Sequence, residues 1–165
     1  MINDKALISR AEQGDIEALR ILAENDNTAK FLLGGIYCGY PENEYLKNFP
    51  KLAEYFNPSE GFKLLDKFLY INITDPGQRY AIYSGTYDIY HTETRKAYDP
   101  SRGDCFFKGE QRTDALGKKM EFAKKALDSV EELKNNRLIP DDIANELIEV
   151  RKKMLEAAKK EFDSL

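Results

Sequence analysis

This sequence predicts an all-helical fold, built as an α-α hairpin solenoid, and three observations carry the expectation. A small-residue junction, Ala11-Glu12-Gln13-Gly14-Asp15, is followed by Ala18 and Leu22 and echoed by the run Ala29 to Tyr37. Apolar residues then recur at spacings of three and four in 116–130 and 143–162, the period of one helix face. Tyr80, Tyr83, Tyr87 and Tyr90 keep the same spacing around Ser84-Gly85. With 165 residues, 42% hydrophobic and 12% aromatic, a single domain over 1–165 with its own core is expected. No motif in the chain specifies a reaction.

Element by element, Ala6, Leu7 and Ala11 form the apolar edge of a short first helix that Gly14 can end, because glycine tolerates the left-handed cap conformation. Asp15 is placed to cap the next helix, whose stripe is Ala18, Leu19, Leu22 and Ala23, with Glu17, Arg20 and Glu24 toward water. After the polar turn Asn25-Asp26-Asn27-Thr28 comes a nearly all-apolar helix, Ala29 to Cys38, with Gly34 and Gly35 in its middle. Glycine there costs up to about 1 kcal/mol against alanine, which predicts close backbone approach of a neighbouring helix. Pro58, Ser59 and Glu60 start a helix reaching Asn72, with Phe62, Leu65, Phe68 and Leu69 on one face. Pro76 and Gly77 open the tyrosine helix, whose ladder reads first as core packing. Its partner lies near Thr113 to Lys134, with Leu116, Met120, Ala123, Leu127 and Val130 inward and Lys118, Lys124, Asp128 and Glu131 solvated. A final helix over 140–163 begins at Pro140-Asp141-Asp142 and aligns Ile143, Leu147, Val150, Met154, Ala158 and Phe162; it reads as the terminal cap that repeat stacks need.

Leu33-Gly34, Ile36-Tyr37 and Gly39, preceded by Ala29 and by the Ala11 to Ala18 junction, resemble the Sel-one-like repeat family, a branch of the tetratricopeptide repeats. The resemblance covers about half of the chain. It implies antiparallel helix pairs, here about two units with flanking helices. It also implies a role exercised through partner proteins, with bacterial members serving in signalling, envelope processes, secretion or toxin neutralisation. The chain departs from the family in its period: Tyr37 aligns with Tyr87 at an offset of about fifty residues, where helix-pair repeats recur at about 34 to 47.

The excess falls between the two helices of each unit, in insertions 39–57 and 91–112, which the stacked reading would bring out along one edge. A short extra helix is expected at Lys51 to Phe56. Both insertions carry residues that anchor interfaces. The candidate partner-binding set is Tyr40, Tyr45, Tyr55, Tyr90, Tyr98, Arg102, Phe106 and Phe107; Phe49 and Phe56 read better as inward-folded rings.

Chemistry has little to stand on. There is no glycine-rich phosphate loop, no His pair at metal-ligand spacing and no serine elbow, so no catalytic residue, metal or cofactor is assigned. His91, the sole histidine, is the one general base of the usual type, with Glu93 beside it and Tyr87 or Tyr90 in reach, yet no nucleophile accompanies it. Arg102-Gly103-Asp104 reads as a turn, and Arg151-Lys152-Lys153 with Lys159-Lys160, interleaved with Glu149, Glu156 and Glu161, as a solvated helix face. Cys38 and Cys105 read most simply as reduced thiols, with a single bridge left open.

A net charge of −4, from 29 acidic and 25 basic residues, argues against nucleic acid and favours a protein partner, a basic one by preference. The amino end lacks the roughly 7 to 15 residue apolar core of a signal peptide, and no apolar run approaches the roughly 20 residues that span a bilayer. The expectation is therefore a cytoplasmic protein without membrane contact, or a periplasmic one if Met1 replaces an export signal. The function expected is a protein-interaction module, first a bacterial immunity or inhibitor protein occluding a toxin or effector, second a regulatory adaptor. A homodimer and an enzyme built on His91 are the remaining readings.

Overall fold

The computed structural model describes residues 4–40 and 52–165, and among them every regular element is helical. The all-helical expectation holds. Packing divides the chain into two compact units, Met1–Tyr70 and Ile71–Leu165.

In the first unit α1 (Asp4–Glu12), α2 (Ile16–Ala23), α3 (Asn27–Cys38) and α4 (Pro58–Asp66) follow one another, each packed chiefly on the next in chain order. Gly14, at φ 94°, ends α1 in the left-handed region where other residues are strained. Asp15 then caps α2, its carboxylate accepting from the N–H groups of Glu17 (3.0 Å) and Ala18 (3.3 Å) while pairing with Arg10 at 2.7 Å. Asp26 does the same for α3 through Ala29 N–H at 3.1 Å, and Asn57 for α4 through Glu60 N–H at 3.4 Å. Each cap satisfies a donor that the first turn leaves orphaned. The core gathers Leu7, Ala11, Leu19, Leu33 and Ile36, with Leu52, Tyr55 and Leu64 packed on its margin. A 3-10 turn at Leu52–Tyr55 stands where the sequence placed a short extra helix, and two faces predicted from spacing are buried, Ala18, Leu19 and Ala23 on α2 and Phe62 and Leu65 on α4.

The helix glycines explain how α3 and α4 meet. A Cβ on Gly61 would stand 2.6 Å from Cys38 Sγ and 3.0 Å from both the Gly34 carbonyl oxygen and Tyr37 Cβ; a Cβ on Gly34 would meet the Leu65 side chain at 3.0 Å. The two backbones touch through paired glycines, which is the close approach that Gly34 in mid-helix foretells.

The second unit holds three longer helices, α5 (Pro76–Arg95), α6 (Glu110–Asn135) and α7 (Asp141–Asp163), with α6 packed against both of the others. Asp75 caps α5 through Gly77 N–H at 2.9 Å. The gap between α5 and α6 is filled by rings. Tyr83, Tyr87 and Tyr90 are buried, and Phe122 lies against Tyr90 at 5.7 Å between centroids and against Tyr83 at 6.4 Å. Three of the four ladder tyrosines are thus core packing, the reading preferred from the sequence, while Tyr80 is half-buried under the Arg151 guanidinium.

Two expectations are corrected in this unit. Helix α5 runs to Arg95, so the first five residues of the predicted insertion 91–112, His91 among them, are helical. On α7 the buried face is Ala144, Leu155 and Ala158, with Ile148 and Phe162 half-buried, whereas Ile143 and Val150 are 47% and 46% exposed. The apolar surface of α7 is wider than a single neighbour covers, and α6 takes the side turned about a quarter of a revolution from Ile143 and Val150. Among the described residues no helix is long and apolar enough to cross a membrane, and no disulfide joins Cys38 and Cys105.

Candidate functional site

The candidate surface is built from the end of α5, the connector 96–109 and the first turns of α6. As α5 ends, Tyr98 and Asp99 donate their N–H groups back to the Arg95 carbonyl at 3.0 and 3.1 Å, turning the chain out of the helix. The Asp99 carboxylate gathers the following 3-10 turn, Pro100–Arg102, by accepting from Ser101 and, at 2.9 Å, from Arg102 Nε. These bonds, the Ser101 hydroxyl first and the Arg102 guanidinium next, hold the Asp99 carboxyl below its ordinary value.

Further along, Cys105 Sγ donates to the Phe107 carbonyl at 3.2 Å, and burial pushes its thiol up from the ordinary range. The Phe106 N–H donates to the buried Glu93 carboxylate, which also receives Lys96 Nζ at 2.8 Å. Buried carboxylates need such partners, and here the need pins the connector to α5. Phe107 lies flat on Tyr90, centroids 5.8 Å apart with 6° between planes, and Phe106 meets Phe107 edge-on at 5.3 Å. At the far end the Arg112 guanidinium sits 4.6 Å over the Tyr98 ring.

So tied, the connector presents Tyr98, 58% exposed, Phe106, 38% exposed, and the exposed Arg102. Phe107 is half-buried and serves as their platform. Tyr90 is 1% exposed between Phe107 and Phe122, which removes it from the surface: a ring facing α6 on the helix period is claimed by the core. Tyr40 and Tyr55 belong to the first unit and are half-buried, Tyr40 donating its N–H to the Gly35 carbonyl at 2.8 Å and Tyr55 packing on that core. Tyr45, like Phe49, lies outside the described residues. Phe56 is 51% exposed with its ring set against Gly39, so it covers the end of α3 without being enclosed.

His91 occupies a different setting. Its ring stacks on Tyr87 at 5.6 Å with 14° between planes, and its Nδ1 is buried with no hydrogen-bond partner. Burial first, then the Lys119 and Arg95 charges, push the imidazole down to about 4. Lys119 is itself buried on α6 and pairs with Glu161 of α7 at 3.0 Å. The Tyr87 hydroxyl is pushed up to about 12, mainly by burial. His91 and Glu93, read as neighbours on a loop, are two residues apart on a helix and so project from opposite sides of it, with Glu93 engaged by the connector. An imidazole held near 4 is neutral at pH 7 and a weak base there.

Sequence reasoning passed over Arg112, Lys119 and Glu93 as structural anchors. The pairing of Arg112 with Tyr98 has no signal in local spacing. Lys119 does have one: it stands three residues after Leu116 and four before Ala123, on the inward stripe of α6, where a charge implies a buried partner.

No protein-family model, curated protein or solved structure matches this chain. What its fold and surface define is a class, an all-helical protein with an aromatic, hydrogen-bonded connector on its second unit.

Proposed function

We propose that the chain is a protein-interaction module of the stacked-hairpin kind, and that its first role is that of an immunity or inhibitor protein that occludes a partner such as a toxin or effector. The observation that carries the reading is the 96–109 connector, which displays Tyr98, Arg102 and Phe106 while Glu93, Phe107 and Arg112 hold it in place. Aromatic and Arg side chains dominate binding energy at interfaces, and a surface already ordered avoids the entropic cost of freezing it on contact. Helices that pack on the next in chain order within each unit are what a hairpin stack requires, and the glycine contact of α3 with α4 suits the small-residue pattern of Sel-one-like repeats. Modest size and the net charge of −4 favour a dedicated inhibitor of a basic protein over a regulatory adaptor.

The test is affinity capture from source lysate with the wild-type chain and with a Tyr98→Ser/Phe106→Ser variant, checked by circular dichroism to be equally helical. One protein retained by the wild type and lost by the variant supports the reading, and its being a toxin or effector separates inhibitor from adaptor. A stable complex of this kind buries about 1,200 Å² or more in total. Identical capture by both chains would remove the connector from the interface.

A further inference from the structure

We propose that the outer edge of α7 is a self-association surface, on which a second copy of this chain lays its own α7 antiparallel. The inference is independent of the connector. Along α7, Ile143, Leu147, Val150, Met154 and Ala157 follow one another at spacings of four, three, four and three, the seam of a two-stranded coiled coil. That seam is not the face that packs on α6. The inward residues are Ala144, Leu155 and Ala158, while Ile143, Val150 and Ala157 are exposed and Leu147 and Met154 half-buried between the two sides. A surface helix that needs one apolar stripe for its own fold here carries two.

Charge selects both the occupant and its direction. One flank of the seam is already taken: Ala144 and Ala158 are buried, and Arg151 is held over the Tyr80 ring at 5.4 Å with its Nε 3.3 Å from the Tyr80 hydroxyl. Only the other flank, Glu146, Lys153 and Lys160, all exposed, remains to meet a partner helix. Equivalent flanks face each other only when the two helices run antiparallel. In the register that sets Val150 against Met154 of the second copy, Leu147 meets Ala157, and Glu146 comes opposite Lys160, twice over by the two-fold axis. Lys153 falls near its own mate at the axis, with Glu149 four residues before it and Glu156 three after to offset the like charge. The surface is self-complementary, which is what a two-fold contact demands.

Sedimentation of the full chain over a concentration series tests this. The wild type is expected to dimerise reversibly. Ile143→Ser with Val150→Ser, at positions already exposed, is expected to give a monomer with unchanged helix content. Glu146→Lys is expected to weaken the dimer about tenfold, because two attractive contacts become repulsive, and adding Lys160→Glu to that variant to restore it. Lys153→Gln should tighten it. A monomer at every concentration, or a dimer that ignores the Ile143/Val150 variant, overturns the surface; a charge reversal that does not rescue overturns the antiparallel register.

Discussion

The two units solve the same problem, holding helices together, with opposite materials. In the first, helices of 8 to 12 residues are started by side-chain caps on α2, α3 and α4, and α3 meets α4 by removing side chains, through Gly34 and Gly61. In the second, helices of 20, 26 and 23 residues meet by adding them, through Tyr83, Tyr87, Tyr90 and Phe122, and α6 and α7 start without a side-chain cap. Short helices gain little from their own hydrogen bonds and depend on their ends and on close contact. Long helices bury enough area to tolerate poor ends, and the wide gap that their rings fill also creates the platform on which Phe107 and the connector rest.

Substitutions test that contrast directly. The largest effect is expected from Phe122→Ala, which empties the ring cluster of the second unit and should cost about 3–5 kcal/mol in denaturant unfolding. Hydrogen exchange should show protection lost first from α5 and α6; uniform loss across both units would break the distinction. Next comes acid. His91 is depressed to about 4 from an ordinary 6.5, so between those values the unfolded chain binds a proton that the folded one refuses. Its contribution is complete above pH 6.5, falls as pH drops to about 4 and is flat below. The loss is at most about 3 kcal/mol, less for the screening that its partly exposed ring allows. His91→Phe should flatten that segment of the stability profile, and an unchanged slope would show that His91 titrates normally.

Glycine gives the sharpest pair. Gly61→Ala forces its new Cβ against the Gly34 carbonyl oxygen and Tyr37 Cβ, which cannot swing away, and should destabilise by about 1–3 kcal/mol. Gly117→Ala, on α6, meets only Phe162 Cε2 at the ordinary distance of 3.5 Å and should stabilise by up to about 1 kcal/mol through helix propensity alone. Equal signs at the two positions would sink the idea that only the first unit depends on absent side chains. The smallest effect is at Arg137, held at φ 56° after α6, where its N–H reaches the Lys134 carbonyl and that of Leu138 the Leu133 carbonyl at 2.9 Å. This is the hydrogen-bond pattern of a glycine-terminated helix end, so Arg137→Gly should raise stability by about 0.5–1 kcal/mol in thermal unfolding.

Legibility followed the range of the forces involved. Asp15, Pro58 and Pro76 could be read as starts because a cap or a first-turn proline acts within a few residues of itself, and the inward stripe of α6 because one helix period fixes it. The α7 stripe was misread because periodicity finds every apolar position but not which of two adjacent faces the neighbour takes. Tyr90 and Phe107 looked alike in sequence, two rings near one connector. Their different exposure follows from α5 continuing to Arg95, which puts Tyr90 on the α6 side of a helix and leaves Phe107 to cover it.

From the chain alone it could be read that the protein is helical, where most helices begin, that α3 is approached closely, and that the four tyrosines of α5 share a face. All of these rest on propensity, capping and spacing, which act over a turn or two. Only the packing at long range decided that Glu93 holds the connector, that Arg112 lies over Tyr98, that Lys119 finds Glu161 across the helices, and that Ile143 and Val150 lie off the face that α6 covers. Those outcomes depend on which surfaces meet at long range, where a few ångströms of packing decide between partners that the local pattern treats as equal.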